Sequence, residues 1–140
     1  MNDSATEPGR VAARGDRRYL TVLFADLCAS SEHAERMEAE DFAELLEEMR
    51  RLARDTIPRH GGRIARLQGD GLLAIFGYPT PHEDDGRRAT EAALELHARV
   101  SRLRTRGTAG HSALQMHSGI HAGLVLLVDG DLKRGRFDLV

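Results

Sequence analysis

Apolar residues cluster in a handful of short runs with different periods. In "YLTVLFAD", Tyr19 to Asp26, β-branched and apolar residues are nearly continuous, which predicts a buried strand ending on Asp26. "LCASSEHAERM" follows, and then Phe42, Leu45, Leu46, Met49, Leu52 and Ala53 recur at intervals of three and four. That spacing predicts an amphipathic helix, with Asp41 as its cap and Pro58 and Gly61-Gly62 as its stop. "RIARLQG" and "LLAIFG", joined through Gly69-Asp70-Gly71, predict a hairpin whose Asp-Gly turn supplies positive φ. A second helix is predicted from Ala89, Ala92, Ala93, Leu96, Val100 and Leu103, with Asp84 and Asp85 at its positive end. After "RTRGTAGHS" come "ALQMHSGIHAG", "LVLLVDG" and "RFDLV", which read as strand segments. The order β-α-β-β-α-β is ferredoxin-like: an α+β fold with an antiparallel-rich sheet and helices on one face.

Residues 1–16 lack any period and read as a disordered leader, leaving 17–140 as a single domain within a chain of 140 residues. Apolar content of 41% and a formal net charge of −2 describe a globular protein without the basic field that nucleic-acid binding requires. Cys28 is the single cysteine, and neither a signal peptide's apolar segment nor a run of eighteen apolar residues appears in the sequence. A cytoplasmic location is the expectation.

The chemistry concentrates on acids. Strand order makes the first strand and the hairpin sheet neighbours, so Asp26 and Asp70 are expected side by side. Two ionised carboxylates repel unless a cation lies between them. A hard ion such as Mg²⁺ uses few carboxylates and leaves room for phosphate oxygens, so the pair points to phosphoryl chemistry. Taken alone, Asp70 reads as ordinary turn chemistry. His82, Glu83, Asp84 and Asp85 read as helix capping rather than a metal cluster, and His117 and His121 as packing or dimer contacts on one strand face. Cys28 reads as a small buried hydrophobe.

"VLFADLCASSE", "HGGRIARLQGDGLLAIFGYPTPHEDDGRRATEAALEL" and "HSGIHAGLVLL" together resemble the catalytic domain of the class III adenylyl and guanylyl cyclases, in its bacterial form. The resemblance implies conversion of ATP, or less readily GTP, to the cyclic nucleotide and pyrophosphate by two Mg²⁺ or Mn²⁺ ions. It implies Asp26 and Asp70 as catalytic metal ligands, the carbonyl of Leu27 as a further oxygen, and the turn Cys28, Ala29, Ser30 and Ser31 against the triphosphate. Arg66 falls where the family carries a base-reading Lys, and Asp138 where it carries an Asp or Thr. Asp138 as an acceptor for the adenine amino group favours ATP.

The family usually has Gly at Ala29 and an apolar residue at Ser30, so Ala29 is expected to need a negative φ. The transition-state Asn and Arg are implied beyond Val140, supplied across a dimer by a second copy or a cyclase-domain partner. A domain incomplete at its C-terminus is therefore expected. A catalytically degenerate module for dimerisation or regulation is the first alternative. A diguanylate-cyclase-like domain is the second, against which "QGDGL" stands where Gly-Gly-(Asp/Glu)-Glu-Phe would be.

Overall fold

The computed structural model describes residues 15–104 and 114–128. Its elements are β1 (Gly15–Leu27), α1 (Ser30–Arg36), α2 (Ala39–Arg59), β2 (Arg63–Gln68), β3 (Gly71–Phe76), α3 (Asp85–Ser101) and β4 (Met116–Val128). The sheet order is β2-β3-β1-β4 with every neighbouring pair antiparallel, which is the ferredoxin-like arrangement the sequence predicts. "ALQMHSGIHAG" and "LVLLVDG" contribute to one continuous strand, β4, rather than two. Pairing with all of β1, from Gly15–Val128 to Leu27–Met116, keeps it straight. β1 itself begins at Gly15, inside the stretch expected as leader. "RFDLV", with Asp138, lies outside the described residues.

Alternation along β1 divides the interior in two. Leu23, Ala25 and Leu27 point to the helices and pack with Leu45, Met49, Leu52 and Ile57 of α2 and Ala89, Ala92, Leu96 and Val100 of α3. Each large aliphatic side chain buried there contributes roughly 1.5–3 kcal/mol. The alanines of α3 let its backbone approach the sheet closely. Leu20 and Val22 point the other way, into a smaller cluster with Ala65, Leu73, Ile75, Val125 and Leu127, against which Tyr78 packs. The guanidinium groups of Arg18 and Arg63 lie over the Tyr78 ring, 5.2 and 5.1 Å from its centre.

The helix boundaries differ from the sequence pattern at their first turns. α2 starts at Ala39 with Glu38 in the cap position and no side-chain cap bond, so Asp41 lies inside the first turn. Its carboxylate still favours the positive helix end. Asp84 occupies the cap position of α3, also without a side-chain cap bond. Its partners are Arg87 and Arg88, each at 3.2 Å.

Asp85 instead is buried. Its Oδ2 accepts the backbone N–H of His82 at 2.8 Å, and its Oδ1 accepts Arg88 Nη2 at 2.6 Å. The loop from β3 is closed onto this carboxylate. Gly77, at φ +96°, has no room for a side chain, since a Cβ there would lie 2.6 Å from Asp85 Oδ2.

The corner between β1 and α1 is made by Ala29, at φ 55° and ψ 38°. The expected negative φ is not found. The turn is left-handed, and its conformation is set by the Cys28 N–H donating to the Gln115 carbonyl at 2.8 Å and by the His33 N–H donating back to Ala29 O at 3.1 Å. A non-glycine residue held there stores about 1–2 kcal/mol.

Two stability measurements check these assignments. Asp85→Ala removes the buried acceptor of the His82 N–H and one of the two acids on Arg88, which keeps Asp84, and should lower stability by about 2 kcal/mol, read as a reduced denaturant midpoint at unchanged slope. Ala29→Gly should act in the opposite direction, raising stability by about 1 kcal/mol through relief of the left-handed strain; a loss on this substitution would contradict the turn geometry.

Candidate functional site

On the sheet face turned away from the helices, apolar cover extends along β1 only to Val22. The next two residues on that face are Phe24, 49% exposed, and Asp26, whose side chain is 50% exposed. Phe24 pairs with Gly119 of β4 on one side and with Leu73 of β3 on the other, and Leu73 pairs in turn with Arg66 of β2. One step further, Asp26 pairs with His117, and Gly71 pairs with Gln68. Two rows of side chains therefore cross the sheet at its open end. Glycines at 119 and 71 keep the floor between them low.

The result is a cavity of about 440 Å³ lined by Phe24, Asp26, Gly71, His117 and Gly119 among others. A neighbouring concavity of about 240 Å³ is bordered by Phe24, Arg66, Gln68, Gly71, Leu72 and Leu73. Arg66 reaches this face because of a β-bulge. Ile64 pairs with Ala74 and Arg66 with the adjacent Leu73, leaving Ala65 as the extra residue. Ala65 and Arg66 consequently point to the same side, where strict alternation would have sent Arg66 toward α2.

Asp70 sits in the two-residue turn Gly69-Asp70. The positive φ of +57° falls on Gly69, the position a type II′ turn reserves for glycine, rather than on the glycine after Asp70. α2 clamps this turn from below, with Arg50 Nη2 donating to the Gly69 carbonyl at 2.9 Å. From the end of β1 the Leu27 N–H donates to Asp70 Oδ2 at 3.2 Å. The Asp70 carboxylate thus rests on the peptide joining Asp26 to Leu27, although the two acids are 44 positions apart.

Cys28, half-buried, and Ala29 continue directly from Leu27 into Ser30 and Ser31, the first residues of α1. Among the described residues no three of His, Cys, Asp and Glu form a metal-binding group. Asp26 lines the larger cavity and Asp70 a smaller one against α2, and both carry oxygen donors. That set fits a hard divalent cation which keeps water or phosphate oxygens in its remaining positions.

Three features were not visible in the sequence pattern. His117, expected as a packing or dimer contact, meets Asp26 through Nε2 and Oδ1. Arg50 fixes the turn that carries Asp70. Gln68 stands beside Arg66. None leaves a spacing signal, because each depends on which strand or helix lies next to it. Behind β4, His97 Nε2 and Ser118 Oγ are 2.6 Å apart. Burial, with the nearby His117 charge second, pushes the His97 imidazole below its ordinary value of 6.5. The folded chain therefore gives up this proton more readily than the unfolded one.

Comparison with known proteins agrees with this architecture. Residues 14–140 match the family described as adenylate and guanylate cyclase catalytic domain. The guanylyl cyclase Cya2 is similar over 90% of this chain and 65% of its own, with 33% identity and a TM-score of 0.77. The adenylyl cyclase CyaB from P. aeruginosa is similar over 91% and 66%, with 26% identity and a TM-score of 0.75. An adenylate cyclase of Streptomyces coelicolor is 35% identical over 97 residues, 66% of this chain and 24% of that protein. An uncharacterised protein of Rhizobium meliloti is 30% identical over 88% of this chain, which spans only 12% of that relative's length. With an antiparallel sheet in the order β2-β3-β1-β4, Asp70 bonded to the amide that follows Asp26, and this match over nearly its whole length, the chain belongs to the adenylate and guanylate cyclase catalytic domain family.

Proposed function

We propose that this domain converts ATP to cyclic AMP and pyrophosphate, the ribose 3′-hydroxyl displacing pyrophosphate from the α-phosphorus. The observation that carries the reading is the Asp70 carboxylate resting on the Leu27 N–H, which joins the turn acid to the strand that carries Asp26. Asp26 and Asp70, with the Leu27 carbonyl, would hold two Mg²⁺ or Mn²⁺ ions. Bound there, the cations supply charge neutralisation at the triphosphate and acidify the attacking hydroxyl.

The remaining work falls to the chain's own groups. The Leu27 N–H engages one Asp70 oxygen and orients the other as a donor. The segment Cys28, Ala29, Ser30 and Ser31 turns sharply after Leu27; the Cys28 N–H is held by the Gln115 carbonyl, and the amides that follow it can meet phosphate oxygens. Arg66 donates to the base edge and Asp138 accepts from the adenine amino group. A second cyclase domain, as a homodimer or a partner, supplies the Asn and Arg that stabilise the transition state.

Arg66 also supports a second substrate, because a guanidinium fork matches the O6 and N7 acceptors of guanine. A second role, a degenerate module that dimerises or regulates without turnover, draws support from Ala29, a strained residue in the family's glycine position.

Calorimetry with a non-hydrolysable ATP analogue should give binding with Mn²⁺ present and little without it, and Asp70→Ala should remove the metal-dependent part. Equal affinity with and without the cation would overturn the proposal. Cyclic AMP formation, assayed by chromatography, should fall on the order of 10²-fold or more in Asp26→Ala. Nucleotide binding without product from the wild type would favour the degenerate module. Faster turnover of GTP than of ATP would move the base reading to guanine.

A further inference from the structure

Asp26 stands half exposed at the cavity mouth, where a carboxylate on an open sheet face is free to rotate unless another group restrains it. His117 is that group. It is the Cα partner of Asp26 across the β1–β4 ladder, it lines the same cavity, and its Nε2 meets Asp26 Oδ1.

The pairing is held by features remote from the acids. A slip of β4 by one residue would turn Val125 and Leu127 out of the smaller apolar cluster. Next to His117, Ser118 is engaged by His97 of α3 on the opposite face, which ties the strand to the helix layer at this point.

We infer that His117 is a positioning residue for Asp26: its Nε2–H donates to Oδ1 and leaves the other carboxylate oxygen oriented as the metal donor. The inference rests on the reading of Asp26 as a metal ligand. It does not require a change of protonation, since the imidazolium and the neutral ring with its proton on Nε2 both donate at that atom. An outer hydrogen bond of this kind fixes the direction of a ligating group before the cation arrives, and its loss typically weakens metal affinity by about 10- to 100-fold.

The experiment titrates the full chain with Mn²⁺ alone, following the free ion by electron paramagnetic resonance, in wild type, His117→Ala, His117→Gln and Asp26→Ala. Circular dichroism melts verify folding, and His117→Leu, similar in bulk and unable to donate, replaces the alanine variant if that fails to fold. His117→Ala should bind Mn²⁺ about 10- to 100-fold more weakly, and His117→Gln, which keeps an N–H donor, should recover most of the loss.

Unchanged affinity in His117→Ala, with binding lost in Asp26→Ala, would overturn this inference and leave the metal reading standing. Wild-type binding that Asp26→Ala does not alter, or no Mn²⁺ binding by the wild type, would overturn the metal reading and this inference with it. A defect in His117→Ala seen only after the ATP analogue is added would also overturn it, because His117 would then be contacting the nucleotide. So would nitrogen modulation in the pulsed spectrum, which would place the imidazole in the metal's inner shell.

Discussion

β1 is hydrogen-bonded along both edges, and its two faces are covered to different depths. The helix-side face is buried as far as Leu27, while cover of the other face ends after Val22. Because side chains alternate along a strand, this one inequality leaves Phe24 and Asp26 open on a strand that packing and pairing hold rigid. The open positions thereby fall at the end of a central strand, where a charged side chain can meet water while its backbone stays as fixed as the core.

The neighbouring elements bring their chemistry to that end by different physical means. β3 and β2 close through Gly69-Asp70, and Arg50 of α2 holds the turn down, so Asp70 reaches the Leu27 amide without a long flexible loop. β2 turns Arg66 onto the same face through the Ala65 bulge. β4 contributes little bulk there, with Gly119 opposite Phe24, but sets His117 against Asp26. The floor of the resulting space is low, with Phe24 and Leu72 as its apolar part and Asp26, His117 and Ser118 as its polar one.

Strain and buried charge lie at the margins of this arrangement rather than within the apolar layers. Ala29 turns left-handed where the chain leaves β1 for α1, and the buried Asp85 ties the loop after β3 to the start of α3. On the outer surface of α2 and α3, Arg59 with Glu95 and Arg99 with Asp55 bridge the helices. Each hydrogen bond holds the carboxylate below its ordinary range, yet these groups are exposed and solvent screens most of the gain. The helix layer is held to the sheet by its apolar face.

Local periodicity was sufficient for the two long helices and the hairpin, for the antiparallel fold their order implies, and for the location of Asp26 at a strand end and Asp70 in a turn, but not for the short helix α1. Those properties depend on neighbours within a few residues, which sequence displays directly. The continuity of β4 was not legible, because glycines inside the segment resemble a break until a long partner strand supports them. Nor was the direction of Arg66: a bulge exists only relative to the strand it is counted against. The pairing of His117 with Asp26 joins residues 91 positions apart, and their register is set by burial at the other end of the ladder. Tertiary structure alone decided these, since hydrogen-bond partners and side-chain direction in a sheet belong to pairs of strands, whereas period and turn chemistry belong to one.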